Sequence, residues 1–351
     1  MIDKNFCMSR FLAFRFIENE EDNFFPGLTH TVWHRPPDTD LIAVDSAEEV
    51  GRAARAEIEK FYVKGRTAVF LSGGIDSAIL ASFLPKGTKT YTFRCVAEGA
   101  VNETERAAAY ARAYGLDHEV IDMNWSDFEE LTPELLKFDG VPFHSIEVQL
   151  LKAARHAKAA GFDHLVLGDG ADTVFGGLDG FLSADRTLEE FYMRFAYVKP
   201  ESVLREPVDV RDVYRRFLKA DGCVNAEAYV HDVFAIESTC SYMHAFGLAG
   251  IATCAPYCTM RLARPLDMAR IRRGASKYLL RELFAKRYPN FPLPDKIPMP
   301  RATEQWFADW QGPQRPEFLP GCQMGMSGDQ KWLVWCLEKF LNAYDEDSLG
   351  R

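Results

Sequence analysis

Val69-Phe70-Leu71-Ser72-Gly73-Gly74-Ile75-Asp76-Ser77 is the stretch from which the fold can be read. An apolar run, Ala68 to Leu71, is cut short by two adjacent glycines, and an acidic, hydroxyl-bearing helix start follows, continued by Ala78 to Phe83. Such a run bounded by a turn predicts a buried strand of a parallel sheet. Gly73 and Gly74 let the chain turn tightly with its N–H groups facing inward, which favours an anion at the carboxyl edge of the sheet. The spacing fits neither Gly-x-x-x-x-Gly-Lys-Ser/Thr nor Gly-x-Gly-x-x-Gly.

A second segment repeats the design. Asp163 to Gly177 reads Asp-His-Leu-Val-Leu-Gly-Asp-Gly-Ala-Asp-Thr-Val-Phe-Gly-Gly, again strand, glycine turn and acid. Ligands of parallel sheets sit beyond the carboxyl ends of the strands, so two such loops on neighbouring strands can meet around one polyphosphate. Strands near 67–71, 90–94, 118–122 and 164–167 alternate with helices near 76–84, 103–114 and 145–160, the rhythm of an α/β parallel sheet. Residues 8–17 and 28–34 read as short strands, and Ser46 with Glu49 caps a helix running to Tyr62. Beyond about 186 helices dominate, and a proline-rich loop from Tyr288 to Pro300 carries Lys296.

Ser-Gly-Gly-x-Asp-Ser after an apolar strand resembles the pyrophosphate loop of the ATP pyrophosphatases, which split ATP into AMP and pyrophosphate. The second loop is similar to the Gly-Glu-Gly-Ala/Ser-Asp-Glu-x-Phe-Gly-Gly segment of the asparagine synthetase family, synthetase domain. Asn102-Glu103-Thr104-Glu105, Leu116-Asp117-His118, Ser276-Lys277-Tyr278-Leu279-Leu280-Arg281-Glu282 and Pro294-Asp295-Lys296 extend the resemblance over roughly residues 48 to 310; it is weakest between about 185 and 260. It implies an adenine nucleotide alpha hydrolase-like core at 61–185, a mainly helical extension at 186–351 and, at 1–60, a short segment similar to the family's interdomain linker.

The resemblance also implies roles. Ser72, Gly73, Gly74, Asp76 and Ser77 would hold the phosphates of ATP, Asp76 and Asp172 would ligate Mg2+, and Leu71, Phe93, Leu167 and Gly168 would contact adenine. Lys296, with Lys277 as second choice, would offset charge on pyrophosphate and the attacked centre. An amine attacking an acyl-adenylate must lose a proton, for which Asp169 is the first carboxylate and Glu147 the alternate; Asp139, His144 and Ser145 share the latter's segment and would border the acceptor pocket. Departures accompany the matches. Asp169 replaces the family's glutamate, Thr173 its next acid, and Pro294 its arginine before the loop lysine.

Full-length relatives begin with a glutaminase domain, whereas only about 60 residues precede the first loop here, short of the ~100–150 typical of a domain. The nitrogen is therefore expected from free ammonia, from a separate glutaminase subunit, or from an amine on the substrate itself. The leading expectation is an AMP-forming amide ligase acting on a small-molecule carboxylate. An intramolecular amide or lactam former, a base- or tRNA-modifying enzyme and a non-catalytic nucleotide-binding subunit are the alternatives. A formal net charge of −10 argues against a broad nucleic-acid surface, and the local cluster Arg261, Arg264, Arg270, Arg272 and Arg273 is expected on a solvated helix or at a phosphate.

No signal peptide or bilayer-length apolar run is read, so a cytoplasmic enzyme is expected, with homo-oligomerisation open. The eight irregularly spaced cysteines suggest no disulfide framework. Cys240, His244, Cys254 and Cys258 have the pairwise spacing of a zinc site, but their apolar setting favours core packing.

Overall fold

The computed structural model describes residues 1–297 and 299–349. Five parallel strands form the central sheet in the order β4-β3-β2-β5-β6: β2 (Thr67–Phe70), β3 (Lys89–Cys95), β4 (Asp117–Met123), β5 (His164–Val166) and β6 (Ala252–Cys254). A separate parallel pair joins β1 (Ile42–Val44) to β7 (Met260–Leu262). The chain leaves β2 toward β3 and β4, then returns to place β5 on the other side of β2. That reversal opens a crevice at the carboxyl ends of β2 and β5, the place where parallel sheets bind ligands.

Alternation along β2 explains why the sheet is covered on both faces. Ala68 and Phe70 point into one core, shared with the helices Lys4–Phe14, Trp125–Asp139, Ile146–Ala159 and Gly328–Asp345. Val69 and Leu71 point into the other, packed by the helices Ala47–Phe61, Ile75–Ala81, Thr104–Tyr114 and Tyr278–Arg287. A third, aromatic cluster around Phe181, Phe191, Tyr214 and Tyr229 gathers the short helices between 179 and 234. The α/β parallel core expected from the sequence is thus present, and the helix at 47–61 starts where Ser46 Oγ accepts the N–H of Glu49.

Three local expectations are corrected. Residues 8–17 are not a strand: Lys4–Phe14 is a helix whose residues from Cys7 to Phe14 are all buried, so no solvated stripe revealed its period. Residues 28–34 form no regular element. The fifth strand, β6, falls in the region read as helical. Among the described residues, no helix is long and apolar enough to cross a membrane.

Candidate active site

The two glycine loops touch. A Cβ placed on Gly168, just after β5, would lie 3.2 Å from the backbone nitrogen of Ser77, at the start of the helix after β2. The first loop is braced from within: Ser77 Oγ accepts the N–H of Ser72 at 2.9 Å, Ser72 Oγ accepts the N–H of Gly74 at 3.1 Å, and the two hydroxyls are 2.9 Å apart. The buried Glu103 side chain packs against Gly73 from behind. This differs from the simple expectation of free inward N–H groups, since the loop's own hydroxyls engage two of them. Tyr257 Oη, donating to the carbonyl of Asp76 at 3.0 Å, fixes the following residue.

Asp76 and Asp172, one from each loop, are joined by one ammonium group. Lys277 Nζ lies 2.7 Å from Asp76 Oδ2 and 2.7 Å from Asp172 Oδ1, and Lys296 Nζ lies 2.9 Å from the same Asp172 oxygen. Lys277 is buried and left-handed, at φ 48°. For a non-glycine residue that conformation costs on the order of 1 kcal/mol or more, and such strain collects at functional sites. Gly177 allows the crowding, because a Cβ there would run into Asp172 and lie 2.7 Å from Lys277 Cε. Burial works upward on the carboxyl of Asp172, but Lys277 and Lys296 outweigh it and hold it below its ordinary range. Burial wins at Asp76, whose carboxyl is raised despite Lys277.

Around this cluster lies a cleft of about 490 Å3, well within the range of small-ligand sites. Leu71, Ser72, Gly74, Asp76, Ser77, Phe93, Leu167, Gly168, Asp169, Asp172, Lys277 and Lys296 line it, twelve of the residues singled out in the sequence. Gly73 lies behind the loop under Glu103 and Arg106. Glu147 does not line the cleft; it is buried beside Asp139 and His244, against a separate small cavity. His144 does reach the cleft, whereas Ser145 and Asp139 do not.

Asp169 accepts from Ser238 Oγ at 3.1 Å, and Cys258 Sγ approaches its other oxygen at 3.6 Å. Burial raises its pKa, the direction that suits a proton acceptor working near neutrality. The helix Ala235–Ala249 also brings Glu237 and Tyr242 to the cleft wall, residues the sequence reading missed. Their signal was present, since Glu237, Ser238, Ser241 and Tyr242 place polar groups at i, i+1, i+4 and i+5 of a largely apolar helix. Arg15, left-handed at φ 68°, pairs with Glu237 at 2.7 Å and stacks over Tyr197. Arg281 and Arg301 also line the cleft, as does Pro294.

The remaining candidates lie outside. In the basic stretch 261–273, Arg264 pairs with Asp45 and Arg272 with Asp185 at the surface, Arg261 donates to the carbonyl of Asp38, and Arg270 lies over the ring of Tyr278. Cys240, His244, Cys254 and Cys258 do not converge among the described residues: Cys240 Sγ accepts from the N–H of Trp33, Cys254 faces the carbonyl of Glu57, and Cys258 faces Asp169. All eight cysteines are free thiols.

His144 yields a pH prediction. Burial, reinforced by Arg15, depresses its pKa from 6.5 to about 4. The folded protein keeps the ring neutral while the unfolded chain protonates below 6.5, so this group costs nothing above pH 6.5 and removes stability as pH falls toward 4. The full effect is about 3 kcal/mol. In urea unfolding, the stability difference between wild type and His144→Gln is expected to shift by about 2–3 kcal/mol in the variant's favour between pH 7 and 4.5. Parallel pH curves would contradict it.

Comparison with known proteins fits this geometry. The family model described as asparagine synthase matches residues 63–229. No curated protein matches the chain. Among solved structures, an NMN synthetase from Francisella tularensis is a loose likeness: 11% identity, 72% of this chain and 100% of that one covered, TM-score 0.28. The matched stretch, residues 63–229, carries both glycine loops and both cleft aspartates, and there the chain is similar to the asparagine synthase family.

Proposed function

We propose that the protein is an ATP-dependent ligase that adenylates a small-molecule carboxylate and passes the acyl group to an amine, forming an amide. The observation that carries this reading is the meeting of Asp76, Asp172, Lys277 and Lys296 at the mouth of two adjoining glycine loops. A carboxylate oxygen attacks the α-phosphorus of ATP, the bond to the β-phosphate oxygen breaks, and pyrophosphate leaves with the electron pair. Both partners are anions, so cationic groups at the cleft lower the barrier by offsetting their repulsion and the charge on the leaving group. Lys277 and Lys296 stand where they can do so.

The residues also suit Mg2+. Asp76 Oδ1 is buried without a hydrogen-bond partner, and Asp172 faces it across a single ammonium group, a hard-oxygen pair of the kind that binds magnesium with phosphates. When bound there, the ion would neutralise phosphate charge. In the second half-reaction the amine nitrogen attacks the acyl carbon, AMP departs, and Asp169 takes the nitrogen's proton. Leu71, Phe93 and Leu167 offer the apolar wall for adenine. Free ammonia, ammonia from a glutaminase partner, or an amine on the same substrate would all serve this site.

The decisive assay incubates the protein with ATP, magnesium, ammonium and panels of carboxylic and amino acids, and resolves the nucleotide products. AMP and pyrophosphate in equal amounts support the reading; ADP with phosphate, or ATP bound but never split, counts against it. Asp169→Asn is expected to preserve exchange of labelled pyrophosphate into ATP while slowing amide formation about 100-fold. Loss of both activities together would remove Asp169 from the proton-transfer role.

A further inference from the structure

Behind the cleft, the end of helix Trp125–Asp139, the start of helix Ile146–Ala159 and the middle of helix Ala235–Ala249 enclose three ionisable side chains that catalysis leaves unused. Asp139, Glu147 and His244 are all buried, and their side chains offer three ligand atoms that lie within 4.8 Å of one another. Both oxygens of Asp139 and Oε2 of Glu147 lack a hydrogen-bond partner. Among the described residues, the ion pairs of these two carboxylates run to His244 alone. Two acids in an apolar interior without a lysine or arginine are strongly unfavourable unless something positive joins them.

The histidine tautomer says where that positive charge belongs. His244 Nε2 lies 2.9 Å from the carbonyl oxygen of Thr31, which can only accept, so Nε2 carries a proton. In the neutral ring Nδ1 then bears its lone pair, and it faces Asp139 Oδ1 at 3.6 Å and Glu147 Oε2 at 3.8 Å. Three lone-pair atoms point at one another. A ring nitrogen turned inward by a carbonyl behind the opposite nitrogen is the arrangement that orients a metal-bound histidine. Bonds of about 2.0–2.2 Å to a tetrahedral ion would put neighbouring ligand atoms roughly 3.3–3.6 Å apart, close to the 3.6 Å and 3.8 Å that separate His244 Nδ1 from the two carboxylates. Beside Glu147 and His244 lies a cavity of about 20 Å3, room for one water as a fourth ligand.

We propose that Asp139, Glu147 and His244 hold a divalent first-row metal ion of the zinc type, as a structural centre fastening the helix Ala235–Ala249 to the turn between residues 139 and 147. Carboxylate and imidazole donors without a thiolate suit such an ion. Its consequence for the cleft follows from position. The fastened helix carries Glu237, Ser238 and Tyr242, so the ion would hold the wall that positions Asp169. The alternative occupant is a proton: if one carboxyl is protonated it can donate to the other, and burial together with Asp139 raises the pKa of Glu147 in the direction that arrangement requires.

Metal analysis separates the two. The protein is loaded with ZnCl2, dialysed against metal-free buffer and counted by mass spectrometry, and Co2+ is then substituted and its visible spectrum recorded. About one zinc per chain is expected to stay with wild type and with Asp172→Asn, which alters only the cleft, and less than about a tenth with Asp139→Asn or His244→Gln. Wild type carrying Co2+ should show the intense visible absorption of a four-coordinate site, lost on adding chelator; this readout stands even if a variant fails to fold. A wild type that retains no zinc and gives only the spectrum of aqueous Co2+ assigns the cluster to a shared proton and overturns the proposal. Equal retention by both variants and wild type places the metal elsewhere and does the same.

Discussion

Lys277→Met is expected to lower AMP formation by about 100- to 1,000-fold, the loss typical when a fixed group that stabilises developing charge is removed. Methionine keeps much of the lysine stem's bulk and deletes only the charge, so packing changes little. What changes is the electrostatics of two carboxylates now facing each other without the ammonium that lies 2.7 Å from both. Asp172 is 37% exposed and keeps Lys296, so the variant is expected to lose less stability than the ~3–5 kcal/mol of a fully buried pair. The variant should therefore unfold earlier than wild type in metal-free buffer and recover part of the difference in millimolar magnesium, which can neutralise the same pair. Stability losses indifferent to magnesium would show that Asp76 and Asp172 do not share a cation, and near-normal AMP formation would take Lys277 out of the phosphate site.

Asp172→Asn is the second large effect, with a loss of at least about 100-fold in AMP formation expected. Asparagine preserves size and one oxygen but gives up the charge that attracts a divalent ion. Lys277 keeps Asp76 as a partner in this variant, whereas Lys296 loses its only carboxylate among the described residues. A ligand role and a lysine-positioning role are told apart by varying magnesium. If Asp172 binds the ion, the concentration needed for half-maximal activity rises well above that of wild type. If it only aims Lys296, that concentration is unchanged and Lys296→Met reproduces the defect.

Both glycine loops could be read from the sequence because each joins a short apolar run to a glycine-bearing turn with an acid close behind it. Val69 to Ser77 and Leu165 to Asp172 are local patterns, and the sheet order that brings them together follows from parallel connection rules. Lys277 was legible as a residue but not in its rank, since its bridging position depends on a left-handed turn before the helix Tyr278–Arg287. The N-terminal helix was misread because Cys7 to Phe14 are buried on every side, and with no polar stripe the alternating Phe14 and Phe16 imitate a strand. β6 escaped notice for the opposite reason: Ala252-Thr253-Cys254 is too short and too mildly apolar to announce itself, and it is a strand because β5 offers it an edge.

The wall built by Glu237, Ser238 and Tyr242 was hidden by distance along the chain. Ser238 meets Asp169 69 residues away in sequence, a pairing set by how one helix packs across the sheet. Glu147 shows the converse. Its place in a segment expected to border the acceptor made it a natural candidate for proton transfer, yet the turn of its helix points it away from the cleft and toward Asp139 and His244. Residue type and neighbourhood were right, but one residue of rotation about the helix decided the direction, since Ile146 and Leu150 line the cleft and Glu147 does not.

Two adjoining glycine loops are proposed to grip ATP so that it breaks between its α- and β-phosphates. A crystal structure with α,β-methylene ATP and Mn2+, read by anomalous scattering, tests it most directly. The triphosphate is expected along Ser72 to Ser77, with a manganese peak within bonding distance of Asp76 or Asp172 and of a phosphate oxygen. A nucleotide bound elsewhere, or a triphosphate in the cleft whose metal touches neither aspartate, would contradict it.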